Sequence, residues 1–292
     1  MANTVKISVC QYVLRPIADF EELAGRVRAL LNQVQGSDLA VFPELFTVEL
    51  FMTFKNWRQT PISELGIIDK YTDDYVRLFS EEAAKRGQFI CGGSHLMKVD
   101  GKLLNVGHLF CPDGTIYKHA KTHIFPAERD WFTEEGDEMK VFQLPFAKVG
   151  FNICYESEIP ECQATLAEQG AEIILCPSAT FTEQGFWRVR HCAQANCISN
   201  QVYFVHVGFG AQPGLAPMPS GYARSSILGP CDMAWENPAG IIAETKINWE
   251  MTATGIVDLD KLDENRKSGA ATTFYDRRRR VDRYKIWPTH IG

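Results

Sequence analysis

The sequence predicts a single large α/β domain, and two observations support this fold class. Of the 292 residues, 45% are hydrophobic, which is enough to bury a substantial core. Helical and strand-like patterns also alternate along the chain with no low-complexity linker between them. We therefore expect one domain over 1–292, with a charged C-terminal tail over about 270–292.

The first third of the chain predicts two strands and two helices in alternation. Val5–Gln11 alternates in hydrophobicity as a strand does, and the residues that follow have helical spacing over 20–34. The apolar run 39–42 is typical of a parallel strand buried on both faces. Because Pro43 cannot donate a ladder hydrogen bond, that strand ends there. A second helix is expected over about 69–86.

The remaining two thirds continue this alternation after one irregular stretch at 118–138. Short apolar runs bounded by Gly, Pro or Asp predict the strands, and longer segments with helical spacing predict the helices. Strands are expected at FICGGS, NVGHLFC, TIYK, VFQL, KVGFNI, EIILC, VYFVHVG, SSIL, GIIAE and ATGIVDL, and helices at 160–169 and 187–199.

Charge and cysteine content argue against several classes of protein. The formal net charge of -6 disfavours a nucleic-acid partner, and we interpret the arginine-rich run 276–282 as a solvated face or a subunit contact. No apolar run reaches the roughly 18 residues of a membrane span, and the start of the chain lacks a signal-peptide pattern. The nine cysteines show no CxxC spacing, which is typical of reduced thiols. We expect a cytoplasmic protein with a small-molecule partner.

Three polar residues that follow or flank strand patterns carry the chemical signal. Glu44 and Cys154 each come where a buried strand ends, and such ends face the ligand crevice of an open α/β sheet. A cysteine attacks only as its thiolate, so it needs a base, and Glu44 is the candidate. Lys121 is the candidate donor to a developing oxyanion. Taken singly, each residue also fits a structural role as a core thiol, a strand-end carboxylate or a loop charge.

Two other arrangements deserve less weight. His119 and His123 have the spacing of metal ligands on a helix, but their segment has no helical pattern and offers no third ligand, so no metal or other cofactor is expected. A cysteine–histidine pair with His191 or His206 is a minor alternative, because the local sequence around a papain-type cysteine is absent.

The joint pattern resembles the nitrilase, or carbon-nitrogen hydrolase, superfamily. The resemblance rests on LAVFPELF, YKHAKTHIFPAE and KVGFNICYESEIPE, and weaker similarity continues through most of the chain in the expected order. It implies a four-layer αββα sandwich and a catalytic triad of Glu44, Lys121 and Cys154. A second glutamate after the lysine is also implied; Glu128 fits better than Glu134 or Glu135.

The resemblance also implies an activity and an assembly. Members hydrolyse amides, carbamoyl groups or nitriles through a cysteine thioester, with no cofactor. Nitrile-cleaving members usually carry tryptophan after the nucleophile, whereas this chain has Tyr155, which favours an amide or N-carbamoyl substrate. Nitrile hydrolysis and a non-catalytic, metabolite-binding role are the alternatives. A homodimer or higher homo-oligomer is implied, with the C-terminal tail in the subunit contacts.

Residues beside the motifs are expected to bind substrate. The N–H of Tyr155 would hold the oxyanion, and Glu158 would favour a cationic or polar group, although a surface ion pair explains Glu158 equally well. Aromatic neighbours would shape the pocket wall or belong to the core. The candidate substrate-binding residues are Tyr155, Glu158, Trp131, Phe132, Thr180 and Phe181.

Overall fold

A computed structural model describes residues 3–286 as two β-sheets packed face to face between helices. The strands are β1 Thr4–Leu14, β2 Leu39–Val41, β3 Phe89–Val99, β4 Lys102–Phe110, β5 Ile116–Ala120, β6 Thr133–Glu134, β7 Val141–Gln143, β8 Lys148–Phe151, β9 Ile173–Pro177, β10 Tyr203–Val207, β11 Phe209–Ala211, β12 Ser226–Leu228, β13 Ile241–Glu244 and β14 Met251–Asp258. The α-helices are α1 Phe20–Gln33, α2 Thr72–Arg86, α3 Pro126–Arg129, α4 Pro160–Glu168, α5 Glu183–Asn200, α6 Leu259–Ser268, α7 Thr273–Arg279 and α8 Val281–Tyr284, and 3-10 helices cover Phe46–Thr53, Ile62–Tyr71 and Cys154–Glu158.

Each sheet has a parallel centre. The first has the strand order β11-β1-β2-β3-β4-β5, with β14 also paired to β1 and β6 to β4, and β1, β2 and β3 are mutually parallel. The second has the order β13-β12-β10-β9-β8-β7, and β8, β9 and β10 are parallel. Parallel strands leave their carboxyl ends at one edge, where the connecting segments gather.

Packing between the elements gives the four layers. In β1, Val9 belongs to the core shared with the second sheet, whereas Tyr12 belongs to the core beneath α1 and α2. Gly107 of β4 lies against Phe151 of β8, so the two sheets face each other. The other face of the second sheet carries α4 and α5, whose Leu166 and Val189 join its core. This order of helix, sheet, sheet and helix confirms the predicted αββα sandwich.

The structure differs from the sequence prediction at the start of α5 and within the stretch 118–138. Helix α5 begins at Glu183, four residues before the predicted start, because the hydroxyl of Thr182 accepts the N–H of Gly185 as an N-cap. The stretch predicted as irregular, 118–138, contains the short helix α3 and the strand β6.

The C-terminal tail lies along the helices of the second sheet as far as it is described. Arg277 donates to the side chain of Asn200 on α5, and Arg278 donates to the carbonyl of Ala167 on α4 at 2.7 Å. Positions 287–292 of the tail lie outside the described residues, and its role in subunit contacts stays a prediction. Among the helices of the described part, none is both long and apolar enough to cross a bilayer.

The segment after β2 is held against a bulge in β3. The N–H groups of Phe42 and Leu45 donate to the carbonyls of Cys91 at 2.9 Å and Ser94 at 3.1 Å. Between these two residues the pairing of β3 with β4 shifts, and Gly93 has φ +72°. A Cβ at Gly93 would lie 1.8 Å from the carbonyl oxygen of Pro43, so only glycine allows this close approach. The contact fixes the backbone that carries Glu44.

The buried carboxylate of Glu156 joins the two sheets at the ends of β5 and β8. It accepts hydrogen bonds from the N–H of Ile153 at 2.5 Å, from the N–H and hydroxyl of Thr122 at 2.7 Å each, and from His119 Nε2 at 3.0 Å. Burial opposes the charge of Glu156, but His119 and these donors outweigh it and hold the pKa of the carboxyl below its ordinary value. The segments carrying Lys121 and Cys154 are thereby tied together.

We expect Gly93→Ala to destabilise the fold and to displace Glu44. A methyl group at this position must push the Pro43 carbonyl away and also adopts an unfavourable positive φ, for a total cost of about 3 kcal/mol in the free energy of unfolding. Urea denaturation measures the loss. The control is Gly25→Ala on α1, where the added methyl group meets nothing within 4 Å; it should leave stability unchanged or raised by about 0.5–1 kcal/mol. Equal stability of the two variants would contradict this account.

We expect Glu156→Gln to lower the free energy of unfolding by about 3 kcal/mol at pH 7, because amide N–H groups would face buried donors. Since the folded pKa of Glu156 is depressed, its contribution is complete above the unfolded value of about 4.3 and is lost as pH falls through the lower folded value. Urea titrations at several pH values should therefore show the gap between wild type and Glu156→Gln narrowing in acid. The exposed Glu161→Gln is the control; a gap that stays constant with pH would refute the assignment.

Candidate active site

A buried lysine sits between two glutamates at the edge of the first sheet. Lys121 follows β5 directly, Glu44 lies three residues beyond β2, and Glu128 lies in α3. The Nζ atom of Lys121 donates to Glu44 Oε1 at 2.7 Å and to Glu128 Oε2. All three side chains are almost fully excluded from solvent. The glutamate that pairs with Lys121 is thus Glu128, while Glu134 is exposed and pairs with Lys102.

Burial and the neighbouring charges shift the pKa values of Lys121 and Glu44. Burial by itself would lower the pKa of Lys121, but the neighbouring Glu128 and Glu44 carboxylates outweigh it and hold the pKa well above its ordinary value. Burial raises the pKa of Glu44, and Glu128 adds to the rise, while Lys121 and the side chain of Asn105 oppose it. Lys121 therefore stays protonated and positively charged, and Glu44 is a carboxylate with increased affinity for a proton.

Cys154 is the first residue of the 3-10 helix Cys154–Glu158, which begins three residues after the end of β8. Its φ is +47°, an uncommon conformation for a residue with a side chain, and its carbonyl accepts the hydroxyl of Ser157 at 2.6 Å. Burial raises the pKa of the thiol well above its usual range, and Glu44 raises it further. Lys121 and the N–H of Ala179, which donates to the sulfur, act in the opposite direction. The resting thiol is therefore protonated, beside a carboxylate that can take its proton.

The thiol, the two carboxylates and the ammonium line one small cavity of about 210 Å³. Its other walls are apolar and include three aromatic rings. The Phe181 ring lies 6.1 Å from that of Trp131 and 6.5 Å from that of Phe125 between centroids. A wider surface hollow of about 1080 Å³ lies beside His119, but no thiol lines it. The cavity is lined by Glu44, Leu45, Lys121, Phe125, Glu128, Trp131, Cys154, Ala179 and Phe181.

Of the six residues expected to bind substrate, two line this cavity, Trp131 and Phe181. Phe132 adopts φ +59° and is 72% exposed, so it faces solvent outside the cavity wall. The hydroxyl of Thr180 donates a hydrogen bond to the backbone carbonyl of Tyr222 at 2.7 Å. Glu158 accepts a hydrogen bond from Arg188 at 3.1 Å, which is the surface ion pair weighed against substrate binding.

Tyr155 contributes through its position rather than through its ring. The ring packs edge-on against Phe125 at 5.6 Å between centroids and lies outside the cavity lining. Its backbone N–H directly follows the nucleophile candidate, and this is the group that the sequence assigned to the oxyanion.

The histidines near Lys121 are engaged in other contacts. His119 binds Glu156, and Nδ1 of His123 lies 3.0 Å from the Thr122 hydroxyl and 3.5 Å from Cys162 Sγ. Across residues 3–286, no group of three or more His, Cys, Asp or Glu side chains is arranged to hold a metal ion. His206 is buried against Phe186, away from the cavity lining.

Sequence reasoning missed four residues that complete the site. Asn105 of β4 donates to both glutamates, and Leu45, Phe125 and Ala179 form part of the wall. Leu45 and Phe125 lie inside the motifs LAVFPELF and YKHAKTHIFPAE, and Ala179 directly precedes the candidate Thr180, so this proximity was their only signal. Asn105 stands at the start of a strand pattern, where nothing distinguishes it from an ordinary polar strand residue.

Comparison with known proteins places this site in a family. The model of the carbon-nitrogen hydrolase family matches residues 6–264. The chain is 41% identical over 284 residues to the "Probable hydrolase YhcX" of Bacillus subtilis, covering 96% of this chain and 55% of that protein. The chain thus spans about half the length of this relative. It is also 32% identical over 210 residues to "Omega-amidase NIT2-B" of Xenopus laevis, covering 68% of this chain and 72% of that protein.

The solved structures agree on the fold. The crystal structure of a carbon-nitrogen hydrolase from Helicobacter pylori G27 superposes with a TM-score of 0.77 at 20% identity, covering 98% of each chain. The family model spans most of the chain and includes every residue that lines the cavity. The protein is a member of the carbon-nitrogen hydrolase family.

Proposed function

We propose that this protein hydrolyses an amide or N-carbamoyl bond, with Cys154 as nucleophile and Glu44 as general base. Lys121 would stabilise the oxyanion, and Glu128 would hold Lys121 in place. The proposal rests on one observation. The thiol of Cys154, the carboxylate of Glu44 with its raised pKa and the protonated amine of Lys121 line one buried cavity. The omega-amidase named among the relatives supports amide chemistry.

Acylation begins when Glu44 takes the thiol proton and the Cys154 sulfur adds to the carbonyl carbon. The carbonyl electrons move to oxygen, and Lys121 Nζ with the N–H of Tyr155 stabilises the resulting negative charge. Glu44 then donates its proton to the substrate nitrogen. The C–N bond breaks, ammonia or an amine leaves, and a thioester joins the acyl group to Cys154.

Deacylation repeats these steps with water as the nucleophile. Glu44 takes a proton from water, the oxygen adds to the thioester carbon, and the same donors stabilise the second oxyanion. The C–S bond breaks, and the proton held by Glu44 returns to the sulfur as the acid leaves. The cycle needs no cofactor because every proton passes through Glu44.

The cavity wall favours an uncharged acyl group. Phe125, Trp131, Phe181, Leu45 and Ala179 are apolar, and the one cation in the lining, Lys121, is already paired with two carboxylates. An anionic substrate group would lose its water without gaining a partner there, whereas an uncharged group needs none. A cytoplasmic location and a homodimeric or higher assembly remain predictions from the sequence.

We expect the wild-type protein to release ammonia from neutral amides or N-carbamoyl amines at least about 1000-fold faster than Cys154→Ala. Intact-protein mass spectrometry should show an acyl adduct that is absent from this variant. The exposed Cys231→Ala is the matched control, because its thiol lies outside the cavity and its loss should leave the rate unchanged.

Two outcomes would contradict the proposal. Equal ammonia release by wild type and Cys154→Ala across a broad panel would favour a non-catalytic, metabolite-binding role. A nitrile turned over far faster than the matching amide would instead overturn the choice of bond.

A further inference from the structure

One amide group connects the two carboxylates that flank Lys121. Asn105 is fully buried in β4, and its Nδ2 donates to Glu44 Oε1 at 2.9 Å and to Glu128 Oε1 at 2.8 Å. A side-chain amide has two N–H donors, and here each one is given to a different carboxylate. Both donors of Asn105 therefore serve the site.

The amide closes a ring of hydrogen bonds around the ammonium. Lys121 and Asn105 each donate to both Glu44 and Glu128, so the four side chains form a closed ring of hydrogen bonds. The backbone carbonyl of Asn105 also accepts the N–H of Lys121 at 2.9 Å. One residue thus fixes the lysine through its main chain and both carboxylate partners through its side chain.

The orientation of the amide is determined by the carboxylates. Asn105 Oδ1 is buried and has no hydrogen-bond partner within residues 3–286. Turning the amide over would bring this oxygen against both carboxylates, which repel it, and would leave the donors facing away. The two donors rather than the acceptor therefore determine the orientation of the amide, and both donors are directed at the site.

We propose that Asn105 is a positioning residue, whose amide holds the carboxylates of Glu44 and Glu128 in place so that Glu44 accepts the thiol proton. This rests on the proposed function of Glu44 as the base. Glu44 and Glu128 share one ammonium and are almost fully excluded from solvent, so burial favours the protonated form of Glu44. The two amide donors oppose that tendency by stabilising both charges.

The direction of the effect on pH dependence follows from this arrangement. Hydrogen bonding from Asn105 to the ionised form opposes the rise that burial causes in the Glu44 pKa. Without it, the Glu44 pKa rises further. Glu44 accepts a proton only when ionised, so the activity lost on the acid side would be lost at a higher pH.

The test compares the pH profile of kcat/KM for amide hydrolysis in wild type and three variants. Asn105→Leu removes both donors at similar size, and we expect its acid limb to move up by about one unit or more relative to wild type. Asn105→Asp adds a third carboxylate and should move the limb further. Asn265→Leu on α6 is the control, since it removes a buried amide that contacts Gln201 and should leave the limb unchanged.

An acid limb in Asn105→Leu that superimposes on the wild-type limb, in a protein with a native circular dichroism spectrum, would overturn the proposal. If Asn105→Leu does not fold, Asn105→Ser, which keeps one donor, replaces it, and an intermediate upward shift is expected. The same superposition in Asn105→Ser would overturn the proposal equally.

An infrared pH titration separates this proposal from the proposed function, because it needs no turnover. The carboxyl C=O band that is lost in Glu44→Gln should appear at a higher pH in Asn105→Leu than in wild type. An identical titration in both proteins would overturn the positioning role whatever the activity. An upward shift without any ammonia release by wild type would support the positioning role and remove the proposed function.

Discussion

The site depends on one buried ammonium that two carboxylates share. Moving the charge of Lys121 out of water costs several kcal/mol, and this cost is recovered only when its partners lie within hydrogen-bond distance. Glu44 and Glu128 meet that condition, although they are 84 residues apart in the chain. The pairing therefore constrains the segments after β2 and β5 and the short helix α3 to one arrangement.

The two sheets contribute different parts of this arrangement. The first sheet supplies both glutamates, the lysine and Asn105, whereas the second supplies Cys154 at the end of β8. A shift of one sheet relative to the other would separate the thiol from its base. Glu156 resists such a shift because it accepts hydrogen bonds from Thr122 on one side and Ile153 on the other. A residue that contacts none of the reacting groups thus maintains the distance on which they depend.

The sequence predicted the strands that precede Glu44 and Cys154 because continuous apolar runs are a strong local signal. It could not predict which neighbouring aromatic ring faces the cavity. Trp131 and Phe132 are adjacent and similar in hydrophobicity, but the positive φ of Phe132 turns its side chain outward. That turn follows α3, which lies in a segment with no periodicity. Asn105 was missed for a related reason: it is recognised only by its hydrogen bonds to Glu44 and Glu128, which lie 61 and 23 residues away in the sequence.

The opposing pKa directions determine which group does which task. Lys121 is held protonated by two carboxylates, so it is unsuited to accept a proton and suited to stabilise negative charge. Glu44 has a raised pKa because it is buried, so it gains affinity for the thiol proton. The thiol is held neutral by burial and by Glu44 itself, so its ionisation must be coupled to proton transfer. In the proposed mechanism, an arrangement with these directions would yield a thiolate only as the sulfur–carbon bond forms, which would limit side reactions of the thiol in the absence of substrate.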